Sequence, residues 1–351
     1  MKFGLFYQLP CAPEQDPTTR YQQTLEQIQY ADQLGFDTAW LAELHFNPNF
    51  SIMPAPLVFA AVIAQHTERI RLGTAVALLP LQHPLRTVEE AAVVDVLSRG
   101  RLELGVGRGE IAIHFQGFDV PREQGRERFV EALSLIHHAW THEVCRFDGK
   151  YFHVPDTRVV PRPVQQPHPP LRIAANSPET AVFAGQKGYP VFVASPINRN
   201  NKLPEHIGRY QTAFAEAGHD PGKQDVAIAF PVFVADSLEQ VRRHVEPSFL
   251  NYFRAIGIQA RLGARDDSAQ YDYLRAIVKR VEAMTWERIE ASMGLYGPPA
   301  RCIDKIRDIA AGCRMDQLIC WFNPGGLVPH QEVLTSLRRF AEEVMPAVRH
   351  L

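Results

Sequence analysis

The sequence predicts an α/β protein, a single closed (β/α)8 TIM barrel over residues 1–351, on two observations: strand-like and helix-like segments alternate from end to end, and no change of composition divides them. Lys2 to Gln8 reads as the first strand. Arg20 to Leu34 carries apolar residues at helical spacing (Leu25, Ile28, Ala31, Leu34) and stops at Gly35, after which Asp37 to Ala42 is a second strand. Helix Pro54 to His66, strand Arg69 to Ala75, helix Thr87 to Leu97 and strand Leu102 to Val106 continue the alternation, with Ser98-Arg99-Gly100 as a helix stop. Phe129 to Trp140 is the fourth helix.

Between the fourth helix and the fifth strand, Arg146 to Phe152 carries an Asp-Gly pair within an aromatic and polar alternation, which predicts an inserted β-hairpin. Strand five is Leu171 to Ala174 with helix Pro178 to Gln186. Strand six is Pro190 to Val193 with a helix near His206 to Ala217. Strand seven is Val226 to Val234, strand eight is Gln317 to Phe322, and Val333 to Val348 is the closing helix. The polar region Gly257 to Gly297, containing Arg265-Asp266-Asp267-Ser268, reads as a long loop between strands seven and eight, a candidate lid. No Gly-x-Gly-x-x-Gly opens a helix after the first strand, so a dinucleotide-binding doubly wound fold lacks its fingerprint.

Composition narrows the function. At 351 residues, 46% hydrophobic and 22% charged, the chain has ample material for a core. Lys plus Arg number 37 against 39 Asp plus Glu, a net charge of −2, so no basic field exists to hold nucleic acid. The apolar stretch Ile52 to Ala64 is shorter than the ~20 residues a bilayer needs and contains Pro54 and Pro56, which excludes a membrane span. Met1 leads directly into a strand, so no signal peptide is expected. The five cysteines show no Cys-x-x-Cys pairing and fit free thiols in a reducing cytoplasm.

In such a barrel the active site is built from the loops after the strands. After strand two, Glu43 and His45 stand two residues apart and point the same way, so His45 can act as base or donor near neutral pH; a structural hydrogen-bonded pair is the alternative. His83, in Gln82-His83-Pro84 after strand three, either joins the chemistry or orients its loop. Strand four ends in Gly105-Val106-Gly107-Arg108-Gly109, where small residues admit a ligand and Arg108 offers a fork of donors suited to phosphate. Arg126 ahead of the fourth helix, and Asn176 and Ser177 at the start of the fifth, strengthen an anion site, because free N–H groups at a helix start favour negative charge. Surface salt bridges are the alternative for the two arginines. The fourteen histidines form no ligand-spaced set, so no metal is expected. Hydrolase elbows and phosphate loops of the Gly-x-x-x-x-Gly-Lys type are missing.

At these residues the sequence resembles the bacterial luciferase family of flavin-dependent monooxygenases, over essentially the whole chain. Met1-Lys2-Phe3-Gly4-Leu5-Phe6, Glu43-Leu44-His45-Phe46, Gly73-Thr74-Ala75-Val76, His83-Pro84-Leu85-Arg86, Asp95-Val96-Leu97-Ser98-Arg99-Gly100-Arg101, Gly107-Arg108-Gly109 and Gly297-Pro298-Pro299 stand in the family's order. The resemblance implies a barrel in which reduced FMN, supplied by a separate reductase, activates O2 to oxygenate a small organic substrate. It implies Arg108, Arg126, Ser177 and Thr180 at the flavin phosphate, and Glu43, Ala75 and Val76 around the flavin ring, with a non-proline cis peptide often found at the position of Ala75-Val76. Family members often dimerise through helices early in the barrel, which makes the Ala60 to Ala64 and Ala91 to Leu97 faces candidates for a homodimer contact.

The chain departs from the family at two places. Leu44 stands where luciferase catalytic subunits carry the first histidine of Glu-His-His, and Leu44 cannot move a proton, so His45 or His83 takes that role or the substrate needs none. Ser195, between Ala194 and Pro196, stands where those subunits place a tryptophan. Both departures point away from light-emitting aldehyde oxidation. Two other functions compete: a deazaflavin-dependent oxidoreductase on the same barrel, and a non-catalytic partner or flavin-binding subunit.

Overall fold

The first and last strands of the barrel lie side by side. In the computed structural model, which describes residues 1–194, 202–264 and 272–351, Lys2–Tyr7 pairs in parallel with both Thr38–Leu41 and Gln317–Trp321. From there the sheet runs through Arg71–Thr74, Leu102–Gly107, Leu171–Ala174, Val191–Ala194 and Val226–Val234, and the last of these pairs with Gln317–Trp321. Eight parallel strands therefore close on themselves, as the alternation predicts. Two short extra strands lengthen the rim: Ala77–Leu78 beside the fourth barrel strand and Leu295–Gly297 beside the seventh.

Parallel strands covered on both faces carry near-continuous apolar runs, and Leu102–Gly107 is buried at every position. The main core lies between sheet and helices. A second, smaller cluster of Trp40, Phe192, Ala227 and Ile319 fills the barrel interior, with Phe6, Ala75, Val76 and Ala229 packed against it. Two glycines make that plug fit. A Cβ on Gly73 would stand 2.1 Å from the Trp40 ring, and one on Gly105 would stand 2.5 Å from Phe192. Below the aromatic layer, Arg172 bonds the Asp225 carboxylate at 2.7 Å with its guanidinium 5.3 Å from the Phe192 ring centre.

Three expectations are corrected. The Gly257 to Gly297 region is mostly helical: helix Leu238–Gly263 runs into it, and Asp272–Glu282 and Trp286–Ser292 follow before the rim strand. Asp272–Glu282 holds its apolar residues on one stripe, with Leu274, Ile277 and Val278 packing on Ala112 and Ala260, so a polar average concealed a helical period. Arg265, Asp266, Asp267 and Ser268 lie outside the described residues. The hairpin exists as Cys145–Asp148 against His153–Thr157, but its loop is 149–152 rather than an Asp-Gly turn. Glu131 sets that loop by accepting the backbone N–H groups of Lys150, Tyr151 and Phe152 at 3.0, 2.8 and 2.8 Å. The closing helix is not continuous α-helix, since Phe340–Val344 forms a π turn between His330–Arg339 and Met345–Val348.

Helices Pro56–His66 and Pro84–Leu97 pack against one another. Their alanines face inward, whereas Val58, Val62, Val93, Val96 and Leu97 are exposed. Among the described residues, no helix is long and apolar enough to cross a membrane.

Candidate active site

The second strand delivers Glu43 and His45 to the barrel rim. Ala42 N–H still bonds the Tyr7 carbonyl at 3.0 Å, and Leu44 N–H bonds the Met53 carbonyl at 3.1 Å, so the loop is held from its first residue. Both side chains are buried, Glu43 9% and His45 8% exposed. His45 Nε2 lies 3.0 Å from Glu43 Oε1. An ionised carboxylate only accepts, so in the neutral ring the proton belongs on Nε2 and the lone pair on Nδ1. Glu43 Oε2 accepts the Leu78 N–H at 2.9 Å, which ties the pair to the rim strand Ala77–Leu78. Just before that strand, the Ala75-Val76 peptide is cis, as the resemblance implies.

A residue that sequence reasoning missed completes this corner. His114, on the short helix Ala112–Gly117, accepts the backbone N–H of His45 at its Nε2, 3.1 Å away. The Gln259 side-chain nitrogen lies 3.1 Å from the same atom and donates to it. Burial, together with the repulsion that a protonated His45 would exert, pushes the His114 pKa down to about 4, so its ring is neutral at physiological pH. No sequence signal marks His114 among the fourteen histidines.

Arg108 and Arg126 come together at a separate part of the rim. A cleft of about 610 Å³ is lined by Arg108, Phe115, Arg122, Arg126 and Tyr273, among others. Arg108 bonds Glu110 at 2.7 Å and is 39% exposed, so its fork remains open to a ligand. The Arg122 guanidinium lies 4.5 Å from the centre of the Tyr273 ring; neither was singled out from the sequence. Ser177 caps helix Pro178–Gln186, its hydroxyl accepting the Thr180 N–H at 3.3 Å and lying 3.0 Å from the Thr180 hydroxyl. The Glu179 carboxyl in that first turn is held below the usual carboxylate range, first by its own backbone N–H, then by Ser177, with the charges of Arg126 and Arg108 adding. Asn176 has a scaffolding contact, accepting the Ala194 N–H at 2.9 Å.

His83 is not brought to the Glu43 pair. It is exposed, its Nδ1 accepts the Leu85 N–H at 3.3 Å as a helix cap, and its ring meets Phe152 edge-on at 5.5 Å. Of its two readings, the geometry fits the loop-orienting one. Ser195 and Pro196 lie outside the described residues.

These residues fit a phosphorylated flavin. Two guanidiniums and a capped helix start supply donors for a phosphate. The turn beside them has no room for added side chains, since a Cβ on Gly107 would stand 2.4 Å from Val76.

A family model described as luciferase-like monooxygenase matches residues 1–315. The oxygenase component of a flavin-dependent trigonelline monooxygenase from Acinetobacter baylyi is 29% identical, over 99% of this chain and 95% of that one. A crystal structure of monooxygenase RslO1 from Streptomyces bottropensis superposes with a TM-score of 0.84 at 26% identity, covering 99% of each chain. An F420-dependent secondary alcohol dehydrogenase shares the fold alone, with a TM-score of 0.76 at 18% identity, over 99% of each chain.

Proposed function

Because the chain belongs to the luciferase-like monooxygenase family, we propose that it is an oxygenase that uses reduced FMN, delivered by a separate flavin reductase, and O2 to oxygenate a small organic substrate. Reduced flavin, when bound, supplies two electrons and two hydrogens; one oxygen atom enters the substrate and the other leaves as water. The observation that carries this reading is the placement of Arg108 and Arg126 on one cleft, with the charges of both reaching Glu179 at the start of helix Pro178–Gln186.

In this reading Arg108, Arg126, Ser177 and Thr180 hold the phosphate, and Ala75, Val76 and Asn176 border the flavin. Glu43 orients His45 through Nε2–H, which leaves Nδ1 to take up or return a proton. His45 then does the work that Leu44 cannot. The buried Glu43–His45 pair, together with the cleft, supports a catalytic chain over a non-catalytic partner subunit. Two further readings accompany it. The free cysteines suit a reducing cytoplasm, and the exposed valines of helices Pro56–His66 and Pro84–Leu97 form a homodimer face.

The test is a titration of the purified protein with reduced FMN and, separately, with a reduced deazaflavin under anaerobic conditions, followed by rapid mixing with O2. Tight FMN binding and a reoxidation rate distinct from that of free FMN are expected. Preference for the deazaflavin, or reoxidation at the free rate, would overturn the proposal.

A further inference from the structure

We propose that His114 and Gln259 are positioning residues for His45: they fix its backbone nitrogen and thereby the line along which its imidazole meets Glu43, linking the proton-handling pair to helix Leu238–Gly263. The inference rests on reading Glu43 and His45 as that pair.

A buried backbone N–H must find a partner, and for His45 the partner is a side chain 69 residues away rather than a neighbouring strand or turn. His114 and Gln259 are themselves buried, 1% and 5% exposed. The ring nitrogen that receives the His45 N–H also receives the Gln259 amide, so its single lone pair is shared between two donors. His114 is thus an acceptor closed to protons, and it does not compete with Glu43 for the one on His45. Its ring stands edge-on to the His45 ring at 5.2 Å and 89°, while Phe118 meets His45 from another direction at 4.8 Å and 80°. These two rings flank the imidazole that holds the 3.0 Å bond to Glu43.

The surrounding contacts share this purpose. Asn47, two residues on, donates its side-chain N–H to the Ala255 carbonyl at 3.2 Å, so the loop is pinned to helix Leu238–Gly263 at a second point. Gln116 donates to the Gly263 carbonyl at 2.9 Å, which locks the short helix that carries His114 to the same element. Phe46 lies flat against Gly117, where an added Cβ would stand 2.2 Å from its ring. His45 is therefore placed by two segments distant in sequence, residues 112–118 and helix Leu238–Gly263, and its own strand supplies only the direction of approach.

Three variants test this: His114→Gln, which keeps an acceptor oxygen at the reach of Nε2; His114→Leu, which removes it; and Gln259→Leu, which removes the second donor. The first readout is the tautomer of the His45 ring, from long-range proton–nitrogen NMR of the flavin-free protein at a pH where the ring is neutral. Wild type and His114→Gln are expected to show the Nε2–H form alone, and His114→Leu a mixture of both forms, with Gln259→Leu between them. The second readout is the oxygenase assay with a flavin reductase. There His114→Leu is expected to lose roughly 10–100-fold in kcat, the effect of removing an orienting partner, with the affinity for reduced FMN unchanged. His114→Gln should retain most of kcat. An unaltered tautomer in His114→Leu, or His114→Gln as impaired as His114→Leu, would overturn the inference. If His114→Leu does not fold, the Gln259→Leu tautomer decides. The NMR arm needs no flavin, so it stands even if the wild type shows no oxygenase activity, which would sink only the functional reading.

Discussion

His114 is a histidine held neutral by burial, and that has a consequence for stability. Its folded pKa of about 4 lies below the ordinary 6.5, so between those values the unfolded chain binds more protons than the folded one. Stability therefore rises with pH through this window and is lost as pH falls, by about 2 kcal/mol at pH 5 and about 3 kcal/mol below pH 4. Urea unfolding at pH 7 and pH 5 measures the slope; His114→Gln should flatten it, and an equal slope in both proteins would place the acid-sensitive group elsewhere. At the cleft, Arg108→Ala or Arg126→Ala should each weaken FMN binding about tenfold, the lower end of ~1.5–3 kcal/mol for a charge-assisted bond, because Arg108 is partly solvated. Quenching of flavin fluorescence reads this directly. Arg108, Arg126 and Ser177 could be named as candidates because strand ends and helix starts are recognisable in sequence. His114, Gln259 and Arg122 were not, because nothing in their local spacing distinguishes them.

Elements were legible where their periodicity was strong. Strands Leu171–Ala174 and Val226–Val234 and helix Pro178–Gln186 form over the residues expected of them. Helix Leu238–Gly263 was not anticipated, and it holds Pro247 inside it, a residue that removes a backbone donor and ordinarily disfavours a helix interior. Two glycines separate packing from backbone propensity at this scale. In the third barrel strand, Gly73→Ala drives a methyl group into Trp40 and should destabilise the protein by about 1–3 kcal/mol or more. In helix Leu203–Glu216, Gly208 has nothing within 4 Å of an added Cβ, so Gly208→Ala should stabilise by about 0.5–1 kcal/mol. Thermal unfolding of the two variants checks both signs; a neutral Gly73→Ala would mean that the Trp40 plug gives way easily.

At the scale of the whole molecule, the exposed valines on the paired helices Pro56–His66 and Pro84–Leu97 carry the dimer reading. Light scattering coupled to size exclusion should find a dimer that Val62→Lys with Val96→Lys converts to a monomer. A wild-type monomer at micromolar concentration would remove that reading. The closed barrel followed from the sequence alone, because eight strand segments interleaved with helical ones leave few other ways to bury a parallel sheet. The candidate phosphate-binding residues of the rim could be named too, since each stands at a strand end or a helix start. Only the tertiary structure decided how His45 is aimed. That depends on side chains separated by 69 and 145 residues meeting at one ring nitrogen, and such a meeting is set by how the helices stack on the barrel rather than by any pattern within a segment.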